Sequence, residues 1–119
     1  MEVHRTLGPG FQEHVYQRAL EMEFTNKNMK HHREFDIKIY YKGAYIALRR
    51  VDFLVRELIT VELKARSEIE DNHLAQAINY LESSSYPVGL LINFGSTSLQ
   101  FKRFYNKKFP GNPLKSHES

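Results

Sequence analysis

The segment from Arg49 to Lys64 (RRVDFLVRELITVELK) limits the fold more than any other stretch of the chain. Two apolar, β-branched runs flank a polar break at Arg56 and Glu57, which predicts an antiparallel hairpin. Side chains on a strand alternate between faces. Ile59, Val61 and Leu63 therefore point one way, and Thr60, Glu62 and Lys64 the other. Loop length then decides what stands opposite Glu62. A three-residue loop, Arg56 to Leu58, sets Asp52 across from Glu62 on the same face, with Cβ atoms about 5 Å apart. A two-residue loop turns Asp52 to the other side. In the first register, two carboxylates are close enough to share one divalent cation.

The flanking chain has the pattern of an α+β domain. Gly8-Pro9-Gly10 punctuates a turn, and a helix is predicted from Phe11 to about Asn26. Phe11, Val15, Ala19 and Met22 make one apolar stripe along it; Tyr16, Leu20 and Phe24 make a second. Glu13 is in line with the second stripe. Its carboxylate either points into the protein or stays half-exposed at the helix start, where the dipole favours a negative charge. Arg33 to Lys42 alternates, with Phe35, Ile37, Ile39 and Tyr41 on one face. Lys42-Gly43 turns the chain into a strand from Ala44 to Val55, and Leu58 to Ala65 makes a third. Such a meander carries a helix over one face.

A second helix opens at Asp71-Asn72, either of which suits an N-cap. It buries Leu74, Ala77, Ile78 and Leu81, presents His73, Gln76 and Tyr80 on a neighbouring face, and ends at Ser83-Ser84-Ser85. The apolar run from Pro87 to Asn93 predicts a strand buried on both faces. Strand, helix and buried strand in that order imply a right-handed crossover and parallel pairing. A last strand spans Leu99 to Tyr105. Residues 1–105 are thus expected to form one domain, and 106–119, polar and with two prolines, a loose tail.

Composition narrows the function classes. At 119 residues the chain suits a single domain with a real core. It has no Cys, which excludes disulfides and thiolate metal sites and points to a reducing compartment, the cytoplasm. No apolar run approaches the roughly 20 residues of a membrane span, so no membrane partner is expected. A net charge of +3 permits a polyanionic partner without requiring one. Basic residues gather at Lys27, Lys30 and Arg33, at Arg49 and Arg50, and at Lys102, Arg103, Lys107 and Lys108. The adjacent His31 and His32 make a poor metal pair, because neighbours on a strand face opposite ways; they are read as surface residues.

Asp52, Glu62 and Lys64 each have a task if the target is a phosphodiester. Hard oxygen ligands suit Mg²⁺ or Mn²⁺, and such an ion polarises a phosphoryl oxygen and activates water. Lys64 is placed to orient the attacking water or to stabilise charge growing on phosphorus. The backbone carbonyl of Leu63 is a candidate to complete the metal shell, and Glu13 to add a third carboxylate. The competing reading is an ordinary outward strand face. Against it, these three ionisable groups interrupt strongly apolar strands.

Asp52, nine residues, then Glu62-Leu63-Lys64 resembles the D…(D/E)xK signature of the PD-(D/E)XK nuclease superfamily, with Val51 where that name has proline. The lead-in LGPGFQEHVY, from Leu7 to Tyr16, is similar to the motif of its GxxExxY family. His73 to Leu81 and Val88 to Gly95 match that family's pattern as well. The resemblance implies a restriction-endonuclease-like α-β-β-β-α-β core, a mixed sheet flanked by helices, with an extra C-terminal strand. It implies Asp52 and Glu62 as metal ligands, Lys64 as the catalytic lysine and Glu13 as the acid of the first helix. Tyr16, His73, Gln76 and Tyr80 become substrate-binding or supporting residues. The expected activity is Mg²⁺- or Mn²⁺-dependent hydrolysis of nucleic acid, DNA ahead of RNA. Two alternatives stand beside it: a non-catalytic nucleic-acid-binding or regulatory module that keeps the fold, and a subunit that works as a homodimer or with a partner protein.

Overall fold

The structure is a computed structural model, described here for residues 1–109. Its elements are α1 (Glu2–Leu7), α2 (Glu13–Asn26), β1 (His31–Tyr41), β2 (Ala44–Val55), β3 (Ile59–Lys64), α3 (Asp71–Glu82), β4 (Val88–Asn93) and β5 (Gln100–Tyr105). The five strands form one mixed sheet in the order β1-β2-β3-β4-β5. β3 and β4 are parallel and every other pair is antiparallel. This is the expected α+β core with its crossover through α3 and its extra terminal strand. The one addition is α1, whose Val3 and Leu7 pack into the core beside Tyr16 and Leu20 of α2. Among the described residues, no helix is long and apolar enough to cross a membrane.

Two apolar clusters lie on opposite faces of the sheet. On one, Phe53, Val55, Val61, Leu63 and Ile92 meet Val3, Tyr16 and Leu20 from the first two helices. On the other, Ile37, Ile39 and Val51 meet Tyr80 of α3 and Tyr86. Each fully buried side chain of this size is worth about 1.5–3 kcal/mol of transfer free energy, so both faces commit the sheet to its helices.

Phe53 and Val51 occupy positions of the same parity on β2, yet they fall in different clusters. The alternation breaks at Asp52. β1 breaks at the same rung: Arg33 reaches Glu21 and Gln17 of α2, whereas Phe35 packs with Tyr86 on the α3 side. Between them Glu34 has φ of 54°, a left-handed conformation uncommon for a residue with a side chain. Arg33 pairs with Phe53 and Phe35 with Val51, and Glu34 and Asp52 are the unpaired rung between. The two strands therefore exchange faces together. Beyond that rung Val51 and Arg49 look towards α3.

The β2–β3 loop has three residues, since Val55 pairs with Ile59. The ladder continues through Leu54–Thr60 and Phe53–Val61 and stops one rung before Asp52 and Glu62. The far end is held by Asn93, which is fully buried. Its side chain accepts the Arg66 and Gly95 N–H groups and donates to the Arg66 carbonyl and to Gln100. A Cβ on Gly95 would collide with the backbone of Ala65 and Arg66. Only glycine lets the chain after β4 pass this close to the end of β3, just beyond Lys64.

Several local expectations give way to packing. α2 starts at Glu13, and it is the Tyr16–Leu20–Phe24 stripe that meets the core, while Phe11 and Met22 are exposed. Tyr41 is exposed at the hairpin end. Glu70 is the N-cap residue of α3, one before the expected pair. His31 is no surface residue: its ring lies among Phe24 and Phe53, with Nδ1 on the Met29 carbonyl. His32 does face outward, paired with Glu57. Asn106, expected to begin a loose tail, is buried and donates to the carbonyls of Leu81, Ser84 and Tyr86. Of that tail, residues 110–119 lie outside the described residues.

Candidate active site

Asp52 stands where β2 leaves β3. Its Oδ2 accepts the backbone N–H of Leu63 at 2.7 Å, and its Oδ1 accepts the Gln17 side-chain amide at 2.8 Å. The carboxylate thus satisfies an amide that the interrupted ladder would otherwise leave unpaired. Both donors are neutral. Burial raises the pKa of Asp52 most; the two hydrogen bonds act against that, and the charges of Glu13 and Glu62 raise it further. Asp52 therefore feels the negative charge of two further carboxylates while no cation is bonded to it.

Glu62 is on the α3 side of β3, opposite in direction to its buried neighbours Val61 and Leu63. Asp52 instead reaches Gln17 of α2, so the two acids do not share a face as the three-residue loop predicts: β2 changes faces at Asp52 itself. Arg49 holds Glu62 in a fork, Nε to Oε1 at 2.8 Å and Nη2 to Oε2 at 3.0 Å. The guanidinium in turn lies 4.2 Å from the centre of the Tyr80 ring. The pair is largely screened from water, with side-chain exposures of 20% for Arg49 and 13% for Glu62. This contact depends on the face exchange at Asp52. Regular alternation sets Arg49 on the opposite face from Glu62, so nothing in the strand pattern alone pairs the two. An arginine three positions before Asp52 and thirteen before Glu62 was the available signal.

Lys64 shares the parity of Glu62 on β3 and is half-buried. Its backbone is fixed by the Phe94 N–H, which donates to the Lys64 carbonyl at 2.8 Å. Its ammonium has no ion pair among the described residues. Glu13, the first residue of α2, is exposed and lines an open cavity of about 440 Å³ with Gly10, Phe11, Gln12, His14 and Ala65. Of its two expected placements the structure has the outward one, still near enough to act on Asp52.

The remaining expected residues divide. Tyr16 is fully buried, stacked on Phe94 with centroids 4.6 Å apart. Its hydroxyl donates to the Gly8 carbonyl and accepts the Phe11 N–H, so it ties the loop before Glu13 to the core. Tyr80 carries Arg49. His73 is half-buried, with its Nδ1 lacking a partner, and Gln76 is exposed one turn before Tyr80. Leu63 lends its amide to Asp52.

No three His, Cys, Asp or Glu side chains among the described residues stand together as a ready metal site. The donor set nonetheless fits a hard divalent cation. Asp52 has a carboxylate that burial and two like charges disfavour, and Glu62 already holds a cation, the guanidinium of Arg49. A metal bound between them relieves the first condition and competes with the second.

No curated protein and no solved structure matches the chain significantly. A family model does, described as the PD-(D/E)XK nuclease superfamily and covering residues 1–104. That span holds every strand but the last residue of β5, both long helices, and all of Asp52, Glu62 and Lys64. The match spans most of the chain and the mixed sheet with its helices is compatible with it, so this chain belongs to the PD-(D/E)XK nuclease superfamily.

Proposed function

We propose that this protein is a Mg²⁺- or Mn²⁺-dependent nuclease, of the GxxExxY kind, that hydrolyses phosphodiester bonds in nucleic acid, DNA ahead of RNA, in the cytoplasm. The observation that carries the reading is the state of Asp52: half-buried at a broken rung, held by neutral donors, and raised in pKa beside two further acids. A structural carboxylate at that depth is normally matched by a cation.

Asp52 and Glu62 would hold the metal, with the Leu63 carbonyl and Glu13 as further oxygen donors. When bound, the ion supplies charge neutralisation at the phosphate and a water acidic enough to attack near neutral pH. The other tasks belong to the chain. Gln17 and the Leu63 amide fix the direction of the Asp52 carboxylate. Lys64, on the Glu62 side with an uncommitted ammonium, orients the attacking water or meets the charge developing on phosphorus. Tyr16 holds the loop that presents Glu13.

The β1–β2 hairpin supports a polyanionic substrate. Of the four basic residues between Asp36 and Asp52, Arg49 and Arg50 are held by Glu62 and Asp36, and Lys38 and Lys42 make no ion pair among the described residues. Tyr41, Tyr45 and Leu48 are exposed there, with the Lys38 ammonium 5.9 Å from the Tyr45 ring centre and that of Lys42 5.4 Å from the Tyr41 ring centre. Cations interleaved with exposed rings suit phosphates and unstacked bases.

One observation favours a second reading, a binding module without catalysis: Glu62 is engaged by Arg49. A crystal soaked in Mn²⁺ separates the two. The nuclease reading requires anomalous density between Asp52 and Glu62, and its absence at saturating Mn²⁺ favours the binding module.

A further inference from the structure

Arg49 has no catalytic task in the reading above, yet it holds both oxygens of one of the two acids assigned to the metal. Both Glu62 oxygens are taken by its fork, at 2.8 and 3.0 Å. Its planar face is spent on Tyr80. The position is reached only because β1 and β2 exchange faces at Glu34 and Asp52, the first of which holds a left-handed backbone. A backbone irregularity of this kind is strained for a residue with a side chain, and here its outcome is to bring one cation to one acid.

We propose that Arg49 is a positioning residue that occupies the cation's place at Glu62 in the resting protein and must leave it before a divalent ion can bind. The proposal rests on the nuclease reading of Asp52 and Glu62. Three physical points carry it. The Glu62 side chain is largely screened from water, and the Arg49 guanidinium is the cation beside it. A bidentate fork takes one lone pair on each Glu62 oxygen and sets a full positive charge against the carboxylate, so a divalent cation has to compete with the guanidinium for this acid. Tyr80 gives the displaced guanidinium a surface to stay on, since a ring face holds a cation without using its N–H donors. Those donors are then free, beside the site, for a phosphate oxygen of the substrate.

The proposal also gives Tyr80 a defined part. It keeps Arg49 beside the acid in both arrangements, so its loss weakens the hold on Glu62 without removing the charge.

The test is Mn²⁺ binding to the metal-free protein, read by electron paramagnetic resonance of free Mn²⁺, with no nucleic acid present and thermal melting as a check of folding. Arg49→Ala is expected to bind Mn²⁺ about tenfold more tightly than the wild type, the lost charge-assisted bonds being of that order. Tyr80→Ala should bind more tightly by a smaller factor, and Arg49→Lys, a cation without a fork, should fall between wild type and Arg49→Ala. Adding Glu62→Ala to Arg49→Ala should abolish the gain. Affinity in Arg49→Ala and Tyr80→Ala equal to or weaker than a wild type that binds through Glu62 overturns this proposal and leaves the nuclease reading standing. No Mn²⁺ binding by wild type or by any folded variant overturns both.

Discussion

The carboxylate of Asp52 accepts the backbone N–H of Leu63 at 2.7 Å, one rung past the last paired residues of β2 and β3. A side chain has taken the place of a strand carbonyl. The consequence is a gap at the sheet's centre, with Asp52 on one side of it and Glu62 on the other. The charge state of Asp52 and the fate of Glu62 both follow from that gap.

Asp52→Asn should stabilise the metal-free protein at neutral pH. The folded-state pKa of Asp52 is raised, mainly by burial and then by Glu13 and Glu62. A raised carboxyl binds its proton more tightly in the native than in the unfolded state. Its contribution therefore favours folding at low pH and is lost as pH climbs through the ordinary carboxylate value to the raised one. Asn keeps an acceptor for the Leu63 amide and sheds the charge. Melting curves of wild type and variant across pH should diverge above that window, the variant being the more stable, and converge below it. A wild type more stable than the variant at neutral pH contradicts this.

Lys64→Ala should lower the rate of cleavage by about 10²–10³, the usual cost of one charge stabiliser at a reacting centre. Mn²⁺ affinity should not fall, because the ammonium is no ligand. Single-turnover rates measured alongside a metal titration separate the two effects, and an equal loss in both would show Lys64 to be holding the acids.

Tyr16→Phe removes one hydroxyl that serves two backbone groups, the Gly8 carbonyl and the Phe11 N–H. Leaving a buried polar group without its partner costs about 1–3 kcal/mol. The midpoint of denaturant unfolding should shift accordingly. Amide exchange should quicken in residues 8–12, ahead of Glu13, while the strands keep their protection.

Lys38→Ala and Lys42→Ala should each weaken binding of an oligonucleotide to a Glu62→Gln background. The effect should be nearly independent of sequence, with the slope of log affinity against log salt falling by about 1 per lysine. Slopes equal to that of the parent would remove the hairpin from the substrate path.

Much of this architecture is legible in the sequence, for identifiable reasons. The alternation from Ile59 to Lys64, the polar break at Arg56 and Glu57, and the apolar run before Asn93 are local patterns that packing reinforced. The three-residue loop was one of two registers, and its choice sets the site. What stayed hidden depends on contacts distant in sequence. α1 is six residues long, too short to be stable alone, and exists because Val3 and Leu7 find a core to enter. The face exchange turns on Glu34, where neither glycine nor asparagine announces a positive φ. Missing that exchange meant missing Arg49, because strict alternation assigns it to the wrong side of the sheet. His31 was misplaced for a related reason: the core it enters is built from Phe24 and Phe53, residues of two other elements.

The most direct measurement is cleavage of a labelled oligonucleotide by wild type and Glu62→Ala, purified identically and assayed with Mn²⁺ and with chelator. Cleavage that needs the ion and disappears in the variant is the result this account predicts. Equal cleavage by both proteins, or none by a wild type that has bound Mn²⁺ and substrate, contradicts it.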